Sequence, residues 1–234
     1  MNVVLDLIKT LDGLSDEKRA KASAWFFKTG KGQYGEGDKF IGISVPKLRK
    51  VAKEFKHIGF SDLERLLRSK IHEHRFLALE ILVMQYEGGD AILQKKIVDF
   101  YIKNSKFINN WDLVDTSASY ILGHYLLKKN KKILYKFARS SNIWERRIAI
   151  ISTIYFISQE SYLDTLKIAE ILLKDKHDLI HKAVGWALRE VGKKSQETEI
   201  EFLEKHYKVM PRTMLRYAIE KFSDKKRIYY LTKK

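Results

Sequence analysis

The 234-residue sequence contains no cysteine, two prolines and 12 glycines. Without cysteine, disulfides, iron–sulfur clusters and thiolate zinc sites are excluded. Proline and glycine are the main interrupters of regular structure, so their scarcity leaves few places for a break. The best apolar run, residues 148–157, is broken by Ser152 and Thr153 and is too short to span a bilayer. The N-terminus also lacks the basic head and unbroken apolar centre of a signal peptide. We therefore expect a soluble, cytoplasmic protein without a membrane partner.

Acidic residues are fewer than basic residues. The chain has 45 Lys and Arg against 29 Asp and Glu, which gives a formal net charge of +16. A strongly basic protein concentrates polyanions around itself, so nucleic acid is the leading predicted partner. Part of the excess is lysine in a Lys- and Ile-rich sequence, which biased genome composition can produce by itself.

Apolar residues recur at helical spacing nearly throughout, and no stretch has the alternation of a strand. The clear long loop, residues 30–38, contains a literal G-x-G-x-x-G at Gly30, Gly32 and Gly35. A dinucleotide-binding motif needs a strand before these glycines and a helix opening on them. Here a helical segment precedes the loop, and the next helix begins later, at Ser44 with Pro46 in its first turn. Dinucleotide binding is therefore not expected.

A charged residue precedes a patch of small and apolar residues at five places, separated by 40, 32, 35 and 34 residues. Periods in this range are typical of two-helix repeats stacked into an α-solenoid. Equivalent positions of such repeats line up along one wall, so the five charged residues are predicted to form a row in a concave basic groove suited to a duplex backbone. These residues are Arg75, Asp115, Arg147, Lys182 and Arg216.

The acidic member of this row follows a predicted helix start. Asn109 and Asn110 precede an apolar-periodic segment, as N-cap residues do. Trp111 and Asp115 lie four residues apart, so an indole and a carboxylate share one helix face. Asp112 has a structural explanation as the acid of a capping box with Asn109. For Asp115, a solvated acid in the first turn remains the alternative.

Other candidate residues have structural explanations of varying strength. Trp144 follows a predicted helix cap, and we expect it in the core. Trp186 is flanked by small residues at 183, 185 and 187, which leave its indole room to stand out from the helix. His177 and His181 are four apart and could hold a metal from one helix face, but a third ligand and the Glu of a hydrolytic zinc site are missing. We predict neither a metal nor another cofactor.

Four sequence blocks keep the order of one known family between about residues 20 and 220: FIGISVP at 40–46, NWDLVD at 110–115, NIWERR at 142–147 and KAVGWALRE at 182–190. They are similar to blocks of the AlkD-like DNA alkylation-repair glycosylases, which are HEAT-like repeat proteins. The second and fourth blocks are specific, and the first is weaker. The resemblance implies an all-α solenoid of HEAT-like two-helix repeats, and we expect a single domain over residues 1–234.

The resemblance also implies roles for the matching residues. Asp115 becomes the catalytic carboxylate, Trp111 and Trp186 become aromatic walls of a DNA cleft, and Arg147 becomes a DNA contact. Further predicted DNA contacts are Arg189 of the fourth block and three members of the charged row, Arg75, Lys182 and Arg216.

The implied activity is that of a monofunctional DNA N-glycosylase, a hydrolase that excises cationic N3- or N7-alkylpurines from duplex DNA and needs no cofactor. We expect a monomer. A relative that binds DNA by its shape without catalysis is the main alternative. A protein-binding scaffold is a third, against which the row of basic residues argues.

Overall fold

The computed structural model describes residues 3–232, and these residues form an all-α fold. Its helices are α1 (Val3–Asp12), α2 (Glu17–Phe26), α3 (Val45–Glu54), α4 (Phe60–Leu67), α5 (His72–Glu87), α6 (Ala91–Lys103), α7 (Trp111–Asp115), α8 (His124–Leu126), α9 (Lys132–Ala138), α10 (Ile143–Ser158), α11 (Leu163–Leu172), α12 (Asp178–Lys194), α13 (Gln196–His206), α14 (Arg212–Ala218) and α15 (Asp224–Thr232). Within the same residues no strand forms, and Lys39 pairs with Ile71 as an isolated bridge. The predicted all-α class is confirmed.

Short irregular helices join some of these elements. Single 3-10 turns occupy Ser105–Phe107 and Ile219–Lys221, and a π-helical turn occupies Ser119–Gly123. Across residues 3–232, no helix has the length and apolar character needed to cross a membrane.

The chain divides into two compact units, Met1–Ser117 and Ala118–Lys234. In the first unit α5 is the central helix, with 12 of its 16 residues buried and with α3, α4 and α6 packed against it. A helix that is covered on all sides has no solvent face. The buried charged residues of α5 therefore need partners inside the protein, and some of these partners lie in the candidate site.

In the second unit α10 packs against α9, α11 and α12, and α12 packs against α14. Gly185 permits the last contact, because a Cβ there would lie 2.5 Å from the carbonyl oxygen of Met214 and 2.5 Å from Cβ of Tyr217. This glycine thus serves helix packing. Trp144 is 7% exposed, which confirms the prediction that it belongs to the core.

The long loop lies between α2 and α3, so a helix precedes it, as predicted. Gly42 adopts a φ of 81° in this loop, and a Cβ there would lie 2.1 Å from the carbonyl oxygen of Asp16. The carboxylate of Glu73, on α5, accepts hydrogen bonds from the backbone N–H groups of Ile41 at 3.1 Å and Gly42 at 2.7 Å. The end of the loop is therefore tied to the central helix, and α3 begins after Ser44 as predicted.

Candidate active site

Helix α7 carries both residues of the predicted acid and indole pair. It is five residues long and begins after Asn110, whose side-chain oxygen accepts a hydrogen bond from the N–H of Trp111 at 2.8 Å. Trp111 and Asp115 are both partly exposed. Because residues four apart on a helix are neighbours, the indole and the carboxylate lie on one accessible face.

Stacked rings support the indole from behind. Trp111 stacks on Phe27 with ring centroids 5.3 Å apart and an interplanar angle of 14°, and the edge of Phe26 meets it at 6.0 Å. Phe27 stacks on Phe40 at 5.0 Å, and Phe40 stacks on His72 at 4.5 Å. We call Trp111, Phe27, Phe40 and His72 the aromatic stack. It fixes the indole while leaving part of it accessible.

No spacing in the sequence predicts this stack. The residues that could indicate it are the adjacent aromatics at the end of α2 and the Phe that follows the glycine-rich loop. Neither position has a helical period that relates it to Trp111, so only the folded chain brings these rings together.

His72 joins two carboxylates beneath α7. Its Nε2 lies 2.7 Å from Oδ2 of Asp112, and its Nδ1 lies 3.2 Å from Oδ2 of Asp38. Asp38 also accepts from Nδ2 of Asn110 at 3.1 Å and from Nη2 of Arg75 at 2.6 Å. We call Asp38, His72, Asp112, Arg75 and Asn110 the buried polar network. It connects the loop, α5 and the start of α7.

The charged groups of this network stabilise one another in their ionised forms. Burial alone would raise the pKa of Asp38, but the hydrogen bond from His72 and the positive charge of Arg75 outweigh burial and lower it. Burial alone would lower the pKa of His72, but the charges and hydrogen bonds of Asp112 and Asp38 outweigh burial and raise it. The arrangement thus favours carboxylates around an imidazolium.

The predicted capping box of Asn109 and Asp112 is wrong. Asn110 is the cap, and Asp112 accepts the N–H of the next residue, Leu113, at 2.9 Å with Oδ1 while its other oxygen binds His72. The sequence pattern fits a box because an acid stands three residues after an Asn. The long-range partner on α5 takes precedence over that local arrangement.

Asp115 lies at the other end of α7, near Tyr101 of α6. The hydroxyl of Tyr101 is 2.9 Å from Oγ of Ser117. Burial, with a further contribution from the negative charge of Asp115, raises the pKa of Tyr101. Asp115 therefore lies between the accessible face of α7 and the packed interior of the first unit.

The predicted DNA contact at Arg75 is wrong. Arg75 is 3% exposed, and its guanidinium donates to Asp38 and, at 2.9 Å, to the carbonyl oxygen of Ser69. Its position in the repeat pattern is equivalent to that of a surface charge, but α5 is covered by its neighbours. Arg75 therefore stabilises the interior instead of meeting a phosphate.

A similar correction applies to Arg147 in the second unit. Arg147 is 5% exposed, and Nη1 donates to the carbonyl oxygen of Leu179 at 2.6 Å. The neighbouring Arg146 pairs with Asp175 at 2.6 Å. Both arginines thus join the start of α10 to the segment around the start of α12. Because Arg147 is buried, the predicted direct contact between Arg147 and a DNA backbone is not supported.

The remaining predicted residues of the second unit are more accessible. Trp186 is partly buried, and its Nε1 donates to Oε1 of Glu190 at 3.1 Å, which orients the indole on α12. The partly buried Lys182 pairs with Asp178 at 2.8 Å, and Arg189 pairs with Glu220. Arg216 is exposed on α14.

The two histidines considered as metal ligands have structural roles. His177 caps α12, since its Nδ1 accepts the N–H of Leu179 at 3.1 Å. His181 donates from Nε2 to the carbonyl oxygen of Asp175 at 2.6 Å. Among the described residues, no group of three His, Asp or Glu side chains has the arrangement of a metal site.

Comparison with solved structures gives the class of fold. A predicted DNA alkylation repair enzyme from Enterococcus faecalis is similar with a TM-score of 0.69 at 16% identity, over 90% of this chain and 97% of that chain. The smu.31 protein from Streptococcus mutans UA159 is similar with a TM-score of 0.56 at 20% identity, over 77% of this chain and 93% of that one. The chain therefore has the all-α fold of these proteins.

Sequence comparison then gives the family. The family described as DNA alkylation repair enzyme matches residues 7–222, so the chain belongs to it. No curated protein matches the chain. The predicted family is confirmed, and with it a role in DNA alkylation repair.

Proposed function

We propose that the protein is a DNA N-glycosylase that releases cationic N3- and N7-alkylpurines from duplex DNA and leaves an abasic site. One observation carries this proposal: Trp111 and Asp115 share the accessible face of α7, and the indole is supported by Phe27 at 5.3 Å. In a DNA alkylation repair enzyme, these two side chains match the two needs of the reaction, which are recognition of a cationic base and stabilisation of the sugar that loses it.

The indole of Trp111 is suited to recognise the lesion. Alkylation at N3 or N7 gives the purine a positive charge, and the face of an indole attracts cations through its quadrupole with about 1 to 2 kcal/mol when water is excluded. Stacking on Phe27 holds the ring in place before substrate arrives. Less side-chain freedom is then lost on binding.

Asp115 is suited to the chemical step. The bond between C1′ and the purine nitrogen breaks with its electron pair moving to the base, which becomes neutral and needs no protonation to leave. The sugar becomes oxocarbenium-like, and a nearby carboxylate stabilises that positive charge as in glycoside hydrolysis. Water, oriented by the same carboxylate, adds at C1′ and releases a proton to it. No Schiff-base lysine is required.

Accessible cations and an indole of the second unit are proposed as further DNA contacts. Arg216 is exposed, while Lys182, Arg189 and Trp186 are partly exposed. Each cation that neutralises a phosphate releases counterions, so binding should weaken steeply with salt. With a net charge of +16, the chain suits this mode of binding.

The proposal is tested by incubating the protein with a duplex that contains 7-methylguanine and measuring both the free base and the affinity for the duplex. Release above the spontaneous rate, with none from the unmethylated duplex, is expected. Binding to the methylated duplex without release would overturn the glycosylase proposal and favour the alternative, a protein that recognises DNA shape without catalysis.

A further inference from the structure

We propose that His72, held between two carboxylates, is a positioning residue that fixes the short helix carrying Asp115 and Trp111. The inference rests on the proposed function, because it gives His72 a purpose in the excision of the base. His72 itself is 3% exposed; it is linked to Trp111 through the ring of Phe27 and to α7 through the carboxylate of Asp112.

The geometry of the bridge favours a charged imidazole. A neutral imidazole has one N–H and one acceptor nitrogen, whereas an imidazolium donates from both nitrogens. Nε2 lies 2.7 Å from Asp112 and Nδ1 lies 3.2 Å from Asp38, so both nitrogens face carboxylate oxygens. Nη2 of Arg75 is farther from Nδ1, at 3.4 Å. The carboxylate of Asp38 is nearer to Nδ1 than this guanidinium is, and it favours a proton on that nitrogen. We call the bridge closed when both nitrogens donate to carboxylates, so the closed bridge contains the protonated imidazole.

Helix α7 depends on such external support. It has five residues, and a helix of that length does not persist without tertiary contacts. Asp112 lies within it and Asn110 caps it, and the buried polar network holds both. The aromatic stack connects the ring of Trp111 to that of His72 through Phe27, whose centroid lies 5.0 Å from the imidazole. The direction of the Asp115 carboxylate follows from how α7 is held.

The bridge gives the site a defined dependence on pH. The charged groups that face His72 are Asp38 from the loop, Asp112 from α7 and Arg75 from its own helix, while Phe27 and Phe40 cover it with apolar surface. Two carboxylates outweigh burial and the guanidinium, so the pKa of His72 is raised. Below that raised pKa the bridge is closed. Above it, one nitrogen presents a lone pair to a carboxylate, and the bridge opens at that end.

His74 provides a matched control on the same helix. It is 5% exposed, and its Nδ1 lies 3.1 Å from Oγ of Ser69. Burial lowers its pKa, so it is neutral where His72 is charged. His74→Gln therefore removes a buried histidine from the start of α5 without breaking the bridge to α7.

The kinetic test compares single-turnover release of 7-methylguanine by the wild type, His72→Gln and His74→Gln across neutral and alkaline pH. The wild-type rate should fall on the alkaline side, above the ordinary pKa of histidine. His72→Gln should be slower at neutral pH by about ten- to a hundredfold, as displaced catalytic groups are, and should lose the alkaline inflection. His74→Gln should keep both. A wild-type profile in His72→Gln, or an equal loss in His74→Gln, would overturn the inference.

A second measurement is independent of activity. Nitrogen NMR of the imidazoles should show His72 protonated on both nitrogens at neutral pH, with a lower titration midpoint in Asp112→Asn. The backbone amide signals of residues 111–115 should shift in His72→Gln and stay in place in His74→Gln. A neutral His72, or unmoved amides in His72→Gln, overturns the positioning role even if base release is confirmed. Conversely, a wild type that releases no base overturns the proposed function alone.

Discussion

Substitution of Arg75 separates a role in the protein interior from the DNA contact predicted for this residue. Arg75→Met keeps most of the side-chain volume and removes two hydrogen bonds, one to Asp38 at 2.6 Å and one to the carbonyl oxygen of Ser69 at 2.9 Å. The side chains of Arg75 and Asp38 are 4% and 7% exposed, so water cannot fully replace the lost partner. The substitution should therefore act on stability.

The expected loss in the free energy of unfolding follows from the hydrogen-bond donors that Asp38 keeps. Breaking a buried ion pair costs about 3 to 5 kcal/mol, because the remaining charge stays buried. Asp38 keeps His72 and Asn110 as donors, so the loss should lie near the lower end, at about 3 kcal/mol. Arg68→Met is the matched control. The side chains of Arg68 and its partner Glu64 are 55% and 26% exposed, and such exposed pairs contribute less than about 1 kcal/mol.

Urea denaturation followed by circular dichroism measures the free energy of unfolding, and duplex affinity is measured at several salt concentrations on the folded protein. Arg75→Met should lose stability and keep the wild-type dependence of affinity on salt. An unchanged free energy of unfolding, together with a slope of log affinity against log salt that is shallower by about 0.9, the value for one lost phosphate contact, would show that Arg75 binds DNA instead.

Two further substitutions test other parts of the account. Lys182→Ala should leave stability nearly unchanged, because its pair with Asp178 is accessible, and should make the salt slope of duplex binding shallower by about 0.9. An unchanged slope in the same binding titration would remove Lys182 from the interface. Glu199 is 1% exposed, and burial raises its pKa to about 8. The native state thus keeps a proton that the unfolded state releases above its ordinary pKa of 4.5, so wild-type stability relative to Glu199→Gln should fall by about 1.4 kcal/mol per pH unit between these two values. Parallel curves of unfolding free energy against pH for the two proteins would contradict this assignment.

Local features of the site could be predicted from sequence. The start of α7 near the Asn pair depends on a side chain that caps its own helix, and the shared face of Trp111 and Asp115 depends only on helical spacing. Trp144 could be assigned to the core because it follows a cap at the start of a continuous apolar helix. These properties are decided within a few residues.

Burial of the arginines could not be predicted in the same way. A regular interval places Arg75 and Arg147 at equivalent positions of their repeats, but their exposure depends on which helices cover α5 and α10. The aromatic stack and the buried polar network likewise join residues far apart in the chain, such as Asp38 and Asn110. The stacking of repeats into a solenoid and the single domain over residues 1–234 stay predictions.

Single-turnover release of 7-methylguanine by Asp115→Asn, with duplex affinity measured in parallel, tests the role of the carboxylate. The rate should fall by about two to three orders of magnitude, as for the loss of one group that stabilises transition-state charge, with affinity for undamaged duplex retained or raised. Release at the wild-type rate would contradict the assignment of Asp115 as the carboxylate that stabilises the departing sugar.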